Sequence, residues 1–437
     1  MNRRIVVLSF AFLGLANPGR SDTNAEKAPV ALLIRDPRAL VEWLRTHSPT
    51  SMASKARVLQ GVEAYSQSRA FPNPSANVTL SDLPAAETNP PGLRFRDTAI
   101  WSFGLSEEIE IGKRGPRIEG ARLRAEAARS ASRSDLLDEV AGARAALAHA
   151  VFSDARRAVV EEALAVTRQS LDLQRGRYKT GDLAGLDLDR LELEEQTLAA
   201  EVEATRSESA AALADCRARL FAECEVDGLD AHALVDDATP VPSEENEPEA
   251  RRPDVKALML SSQASLEDAR LARRRAWPDP TLSVGYTRDY LVISGDQPKT
   301  LSLGLSFPVP IFDRGTKDAA RAEAQAAEAR FTAEALRQRI RSDLSSLRER
   351  EARLYAALSA ARFSSLPKSL AILEATQKAA ALGELSMTDL LLARRQHTEL
   401  ALRVLDLEGQ LFDVRTALRR DTAVDLLPES EHPNHDE

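Results

Sequence analysis

The chain has 437 residues, 67 acidic and 58 basic side chains, and a formal charge of −9. A hydrophobic share of 43% can bury a core, which excludes disorder over the whole chain. The acidic balance repels phosphate backbones, so a general nucleic-acid binder is excluded, and two cysteines are too few for a disulfide scaffold or a four-cysteine zinc site.

Residues 1–16 read as a secretory signal peptide. Arg3 and Arg4 precede an apolar run from Ile5 to Leu15, and Gly14-Leu15-Ala16 supplies small-residue cleavage context. The run is shorter than the roughly twenty residues of a spanning helix. No later segment approaches eighteen consecutive apolar residues, so a membrane crossing by the mature chain would have to use strands.

Landmarks then recur in one order at nearly one offset. Pro72-Asn73-Pro74 returns as Pro278-Asp279-Pro280, 206 residues later. Gly112-Lys113-Arg114-Gly115 corresponds to Phe312-Asp313-Arg314-Gly315 at 200, and Gly181-Asp182-Leu183 to Gly383-Glu384-Leu385 at 202. The chain therefore reads as two copies of one unit, 30–225 and 251–425, joined by an acidic, proline-bearing linker at 226–250 and followed by a polar tail at 426–437.

The first copy begins with a strand pair at 74–83 and 98–111. Ala76, Val78 and Leu80 alternate with Asn77, Thr79 and Ser81, and Trp101, Phe103 and Leu105 alternate with Ser102, Gly104 and Ser106. A helical hairpin is expected at 116–222, because no proline occurs from Arg117 to Thr239 and Leu136, Val140, Ala143, Leu147 and Val151 fall on one helical stripe. A helix from Pro116 to Thr180 would be roughly 100 Å long and must pack on other long helices. Gly181 turns the hairpin, and Asp187 sits at the start of its return arm. Cys216 and Cys224 lie near the end of that arm, where they can bond only if the helix breaks between them. The second copy repeats the plan, with strands at 280–290 and 300–311, a hairpin at 315–420 turning at Gly383, and Asp389 at the return.

The duplicated order resembles that of the outer-membrane efflux protein family, the TolC-like channels. The resemblance rests on the tip segments Arg177-Tyr178-Lys179-Thr180-Gly181 through Asp187-Leu188 and Ala381-Leu382-Gly383 through Asp389-Leu390-Leu391. It rests also on Pro278-Asp279-Pro280-Thr281-Leu282 leading into Phe307-Pro308-Val309-Pro310-Ile311-Phe312-Asp313-Arg314-Gly315. The Gly112-Lys113-Arg114 junction is similar to that of the family's heavy-metal branch. The resemblance implies a mainly α fold with a β-barrel part: four strands per protomer in a trimeric twelve-stranded barrel above long periplasmic hairpins. It implies a passive exit duct without catalytic residues, cofactor or resident metal, served by a periplasmic adaptor and a proton-driven inner-membrane pump. Asp389 and Asp187 would form the pore constriction, although Leu392 stands where the family can carry a second acidic residue. Arg177, Gly181, Leu183, Gly383 and Leu385 would dock the adaptor. Helix capping explains Asp389 equally well and Asp187 better, so both constriction roles stay open, with Asp187 the weaker candidate.

The rival readings are a periplasmic adaptor, an adhesive coiled coil and an enzyme. One hairpin inside split β modules would mark an adaptor, and this chain carries two strand-plus-hairpin copies. An adhesive coiled coil would lack the paired strands. Gly112-Lys113 sits in no phosphate-binding loop, the six histidines show no metal-ligand spacing on a helix, and no catalytic motif occurs.

Overall fold

The computed structural model describes residues 28–89, 91–180, 184–236, 252–290, 297–382 and 384–423. The expected signal peptide, the tip residues Gly181, Leu183 and Gly383, most of the acidic linker and the polar tail lie outside the described residues.

Three short helices come first among the described residues: α1 (Val30–Arg35), α2 (Pro37–His47) and α3 (Pro49–Ser68). Asp36 and Ser48 cap α2 and α3, each followed by a proline whose missing N–H costs nothing in a first turn. Strand β1 (Ser75–Ser81) follows, then the single turn α4 (Phe95–Thr98) and β2 (Ile100–Glu108). Helix α5 (Arg114–Lys179) runs 66 residues and returns as α6 (Gly185–Leu220). The second half carries α7 (Ala231–Asp236), α8 (Pro253–Arg274), β3 (Thr281–Asp289) and β4 (Lys299–Ser306). It closes with α9 (Thr316–Ala360), a π-helical turn (Ala361–Ser365), α10 (Leu366–Ala381) and α11 (Met387–Thr422).

The four strands form one antiparallel sheet in the order β1-β2-β3-β4. The helices repeat that order beneath it. In the half nearer the sheet α3 lies on α5, α5 on α8 and α8 on α9; in the far half α6 lies on α5, α5 on α11 and α11 on α10. The α5 stripe Leu136, Val140, Ala143, Leu147 and Val151 is buried throughout, in one core with Leu40, Leu44, Leu220, Leu411 and Phe412.

Some boundaries differ from the sequence reading, for identifiable reasons. β2 stops at Glu108 because Pro280 precedes its partner strand, and only the Ile109 amide continues the pairing, to the Pro280 carbonyl at 2.9 Å. β4 stops at Ser306 because Pro308 and Pro310 have no amide to donate. The stretch expected as linker from 226 is folded at its start: Val226, Ala231, Leu234 and Val235 are buried against the core. α6 ends where Phe221 takes a left-handed conformation, and that break lets Cys216 and Cys224 join in a disulfide. Pro367 removes one helical donor, and the π turn just before it absorbs the disturbance without ending the rod. Among the described residues no helix is long and apolar enough to cross a membrane.

Candidate functional site: a two-faced sheet and two helical tips

The strand register sorts side chains into rows across all four strands. One row reads Val78, Phe103, Tyr286, Leu301 and the next Ala76, Leu105, Val284, Leu303. Most of these large apolar groups are exposed, with Leu301 at 73% and Leu303 at 76%, although a soluble sheet would bury them. Trp101, Arg288 and Lys299 share the row at the far end, and Arg288 stacks on Tyr290 there, so an aromatic and basic fringe borders the apolar band.

The opposite face carries Thr79, Ser102, Thr287 and Thr300 in one row, Asn77, Gly104, Gly285 and Ser302 in the next, then Ser75, Ser106, Ser283 and Gly304. These groups satisfy one another along the sheet. Ser75 and Ser106 share a hydrogen bond of 2.8 Å, and Ser102 and Thr287 one of 3.2 Å. Ser283 donates to the Gly304 carbonyl at 3.2 Å and Ser302 to the Gly285 carbonyl at 3.4 Å. The glycines leave the room: a Cβ on Gly285 would stand 2.6 Å from the Ser302 hydroxyl, so that side chain could not lie down. This face is thin, wettable and free of long side chains.

At the junction with the helices, Asp279 before β3 is buried and accepts from Lys113 Nζ at 2.5 Å and from the Ile111 amide at 2.9 Å. Arg117 pairs with Glu110 at 2.5 Å, and Arg114 donates to the Arg69 carbonyl at 2.7 Å while lying 3.7 Å over the Phe71 ring. The basic junction thus ties the first repeat to the second.

At the other end both hairpin tips come together. Asp389 closes a capping box on α11: its amide donates to Ser386 Oγ at 3.2 Å, and its Oδ2 accepts from the Ser386 amide at 3.2 Å and hydroxyl at 2.6 Å. Its side chain remains exposed. Asp187 lies in the first turn of α6 and faces Arg190 at 3.4 Å. The sequence reading missed Arg190, whose guanidinium also donates to Thr388 Oγ1 at 2.9 Å and so joins the two tips. Its position one turn after Asp187 was the available signal. Arg177 and Leu385 are exposed, and the Tyr178 ring covers Gly185.

Residues 246–423 match the family described as outer membrane efflux protein. The nickel-cobalt-cadmium resistance protein NccC of Alcaligenes xylosoxydans xylosoxydans is 25% identical over 313 residues, 70% of this chain and 67% of NccC. Among solved structures, CusC superposes with a TM-score of 0.75 at 17% identity, covering 88% of this chain and 91% of CusC. The open state of the MtrE outer membrane channel of Neisseria gonorrhoeae gives 0.72 at 15% identity, covering 88% of each chain. The chain therefore has the fold of TolC-like outer-membrane channels over most of its length, and its second repeat is similar to the outer membrane efflux protein family.

Proposed function

We propose that the protein is the outer-membrane exit duct of a tripartite efflux system, a passive conduit that carries out no bond chemistry. The observation that carries this is the inverted sheet, with apolar residues outward and small hydroxyl residues on the other face, open at both edges. An open sheet of this kind cannot rest in lipid, because the unpaired amides and carbonyls of β1 and β4 would have no partners. Since β1 and β4 run antiparallel, β4 of one copy can pair with β1 of the next, and the matching helix order lets α9 and α10 meet α3 and α6 at the same seam. Three copies give a twelve-stranded barrel enclosing a water-filled lumen, with the rods continuing it through the periplasm.

The hairpin tips form the periplasmic gate. Asp389 and Asp187 ring the constriction, and the Arg190–Thr388 link holds the two tips of one protomer together. Arg177, Gly181, Leu183, Gly383 and Leu385 receive a periplasmic adaptor, which couples the duct to a proton-driven inner-membrane pump. The likeness to NccC and the Gly112-Lys113-Arg114 junction support a divalent metal ion as cargo.

Membrane fractionation of cells expressing the full chain tests the reading: a heat-labile trimer should appear in unboiled samples of the outer-membrane fraction. Monomer in the soluble periplasmic fraction would end it. In planar bilayers Asp389→Ala should weaken block by divalent cations, whereas unchanged block would leave Asp389 only its capping role. Arg190→Ala should raise single-channel conductance by freeing the tips.

A further inference from the structure

The middle of the molecule holds a charged cluster that a passive duct does not require. Glu408 on α11 is fully buried, at 0% exposure. His232 on α7 meets both of its carboxylate oxygens, with Nδ1 2.9 Å from Oε1 and 2.8 Å from Oε2. Arg362, inside the π turn, lies 3.5 Å away on the other side. Nearby, Arg415 donates to the Val235 carbonyl at 2.9 Å and pairs with Glu351 at 3.0 Å. The start of the inter-repeat segment is therefore pinned where the α9–α10 rod changes its winding ahead of Pro367. A recess of about 530 Å³, lined by Tyr355, Arg362, Phe363, Val235 and Arg415, brings solvent to the same place.

We infer that His232, Glu408 and Arg362 form a pH-sensitive clamp that fastens α7 to the π turn when His232 is protonated and loosens it when His232 is neutral. A buried carboxylate needs compensating charge. Protonated His232 and Arg362 supply it together; neutral His232 retains a hydrogen bond but brings no positive charge to Glu408. The hydrogen bond that His232 donates to Glu408 raises the His232 pKa above its ordinary value, against the cost of burial and the repulsion of Arg362. A raised folded-state value means that the stabilisation is complete below the usual histidine range and lost as pH rises through the raised value. The other charged groups around the cluster are Asp230 ahead of α7, Arg144 and His149 on α5, Arg350 and Glu351 on α9, and Asp413 and Arg415 on α11. Of these, Asp413 has its pKa raised, by burial, against the pull of His149 and Arg350. It sits five residues beyond Glu408 on the same helix and is the rival titrating group.

Hydrogen exchange on the detergent-solubilised full-length protein tests the clamp, read as protection factors so that intrinsic base catalysis is removed. Between about pH 6 and about pH 8.5, amides of residues 231–236 and of the π turn should lose protection severalfold, the direction that a raised histidine pKa requires. His232→Gln should show the looser value at both pH values, and Asp413→Asn should keep the wild-type pH dependence. Equal wild-type protection at the two pH values would overturn the clamp. So would dependence retained in His232→Gln, or lost in Asp413→Asn. The wild-type comparison decides the matter even if a variant does not fold.

Discussion

At the scale of single residues, the strongest constraints sit where the second repeat closes on itself. Arg252, 4% exposed, opens the second repeat by pairing with Asp254 at 2.6 Å and with Asp421 at 2.8 Å, near the end of the same repeat. Burial pushes the Asp421 carboxyl above its usual range, and Arg252 opposes that push. Removing one partner of such a pair strands the other without charge compensation, so Arg252→Ala should cost about 3–5 kcal/mol. Earlier loss of trimer on heating would report it, while Arg252→Lys should recover only part because it lacks the two-pronged geometry. Gly315 is a second such point. It has φ of 71° and caps the start of α9, and a Cβ there would collide with the Ala272 carbonyl oxygen. Gly315→Ala should therefore prevent correct folding, read as lost yield of folded protein, since backbone rather than a flexible side-chain end must move. Gly315 was legible as half of a repeated landmark, but the collision was not, because Ala272 is brought to it only by the packing of α8 against α9.

At the scale of elements, the alternating strands and the long helices were visible in the sequence because each carries its period over many residues. Leu301, Leu303 and Leu305 against Ser302 and Gly304 leave little choice of face. The short helices were not visible in this way. α3 and α8 precede each strand pair and complete the repeat, yet α3 buries chiefly small groups such as Ser51 and Ser54, which give no apolar stripe. Their signals were Ser48-Pro49 and Arg252-Pro253, helix starts with proline in the first turn. The break after Leu220 was equally hidden, since it depends on Phe221 in a left-handed conformation. The disulfide that the break permits closes a short loop of separation 8, for which chain entropy gives about 2.5 kcal/mol. Replacing both cysteines by serine should speed tryptic cleavage after Arg217 and Arg219, while the α5–α6 hairpin below remains intact.

At the scale of the whole molecule, the sheet and the helices obey one lateral order and stop at the same two seams. The sequence showed the duplication that produces this order, but the exposed apolar wall and the joined tips required the register and the packing. The wall makes a sharp contrast. Leu303→Arg places a cation on the apolar face and should cost roughly 2–4 kcal/mol if that face meets the middle of a bilayer. Thr300→Asp, on the other face of the same strand, should be nearly neutral. The measurement is the yield of heat-labile trimer in the outer-membrane fraction, and equal yields for the two would argue against a lipid-facing wall.

Among the described residues, between Glu108 at one end of the strands and Asp289 at the other, the hydroxyl-lined surface carries amides, hydroxyls and glycines but no ionised side chain. In the duct proposed above, such a surface would offer a travelling ion neither a resting place nor a barrier of its own. Discrimination among cargoes would then have to be exercised before they arrived there.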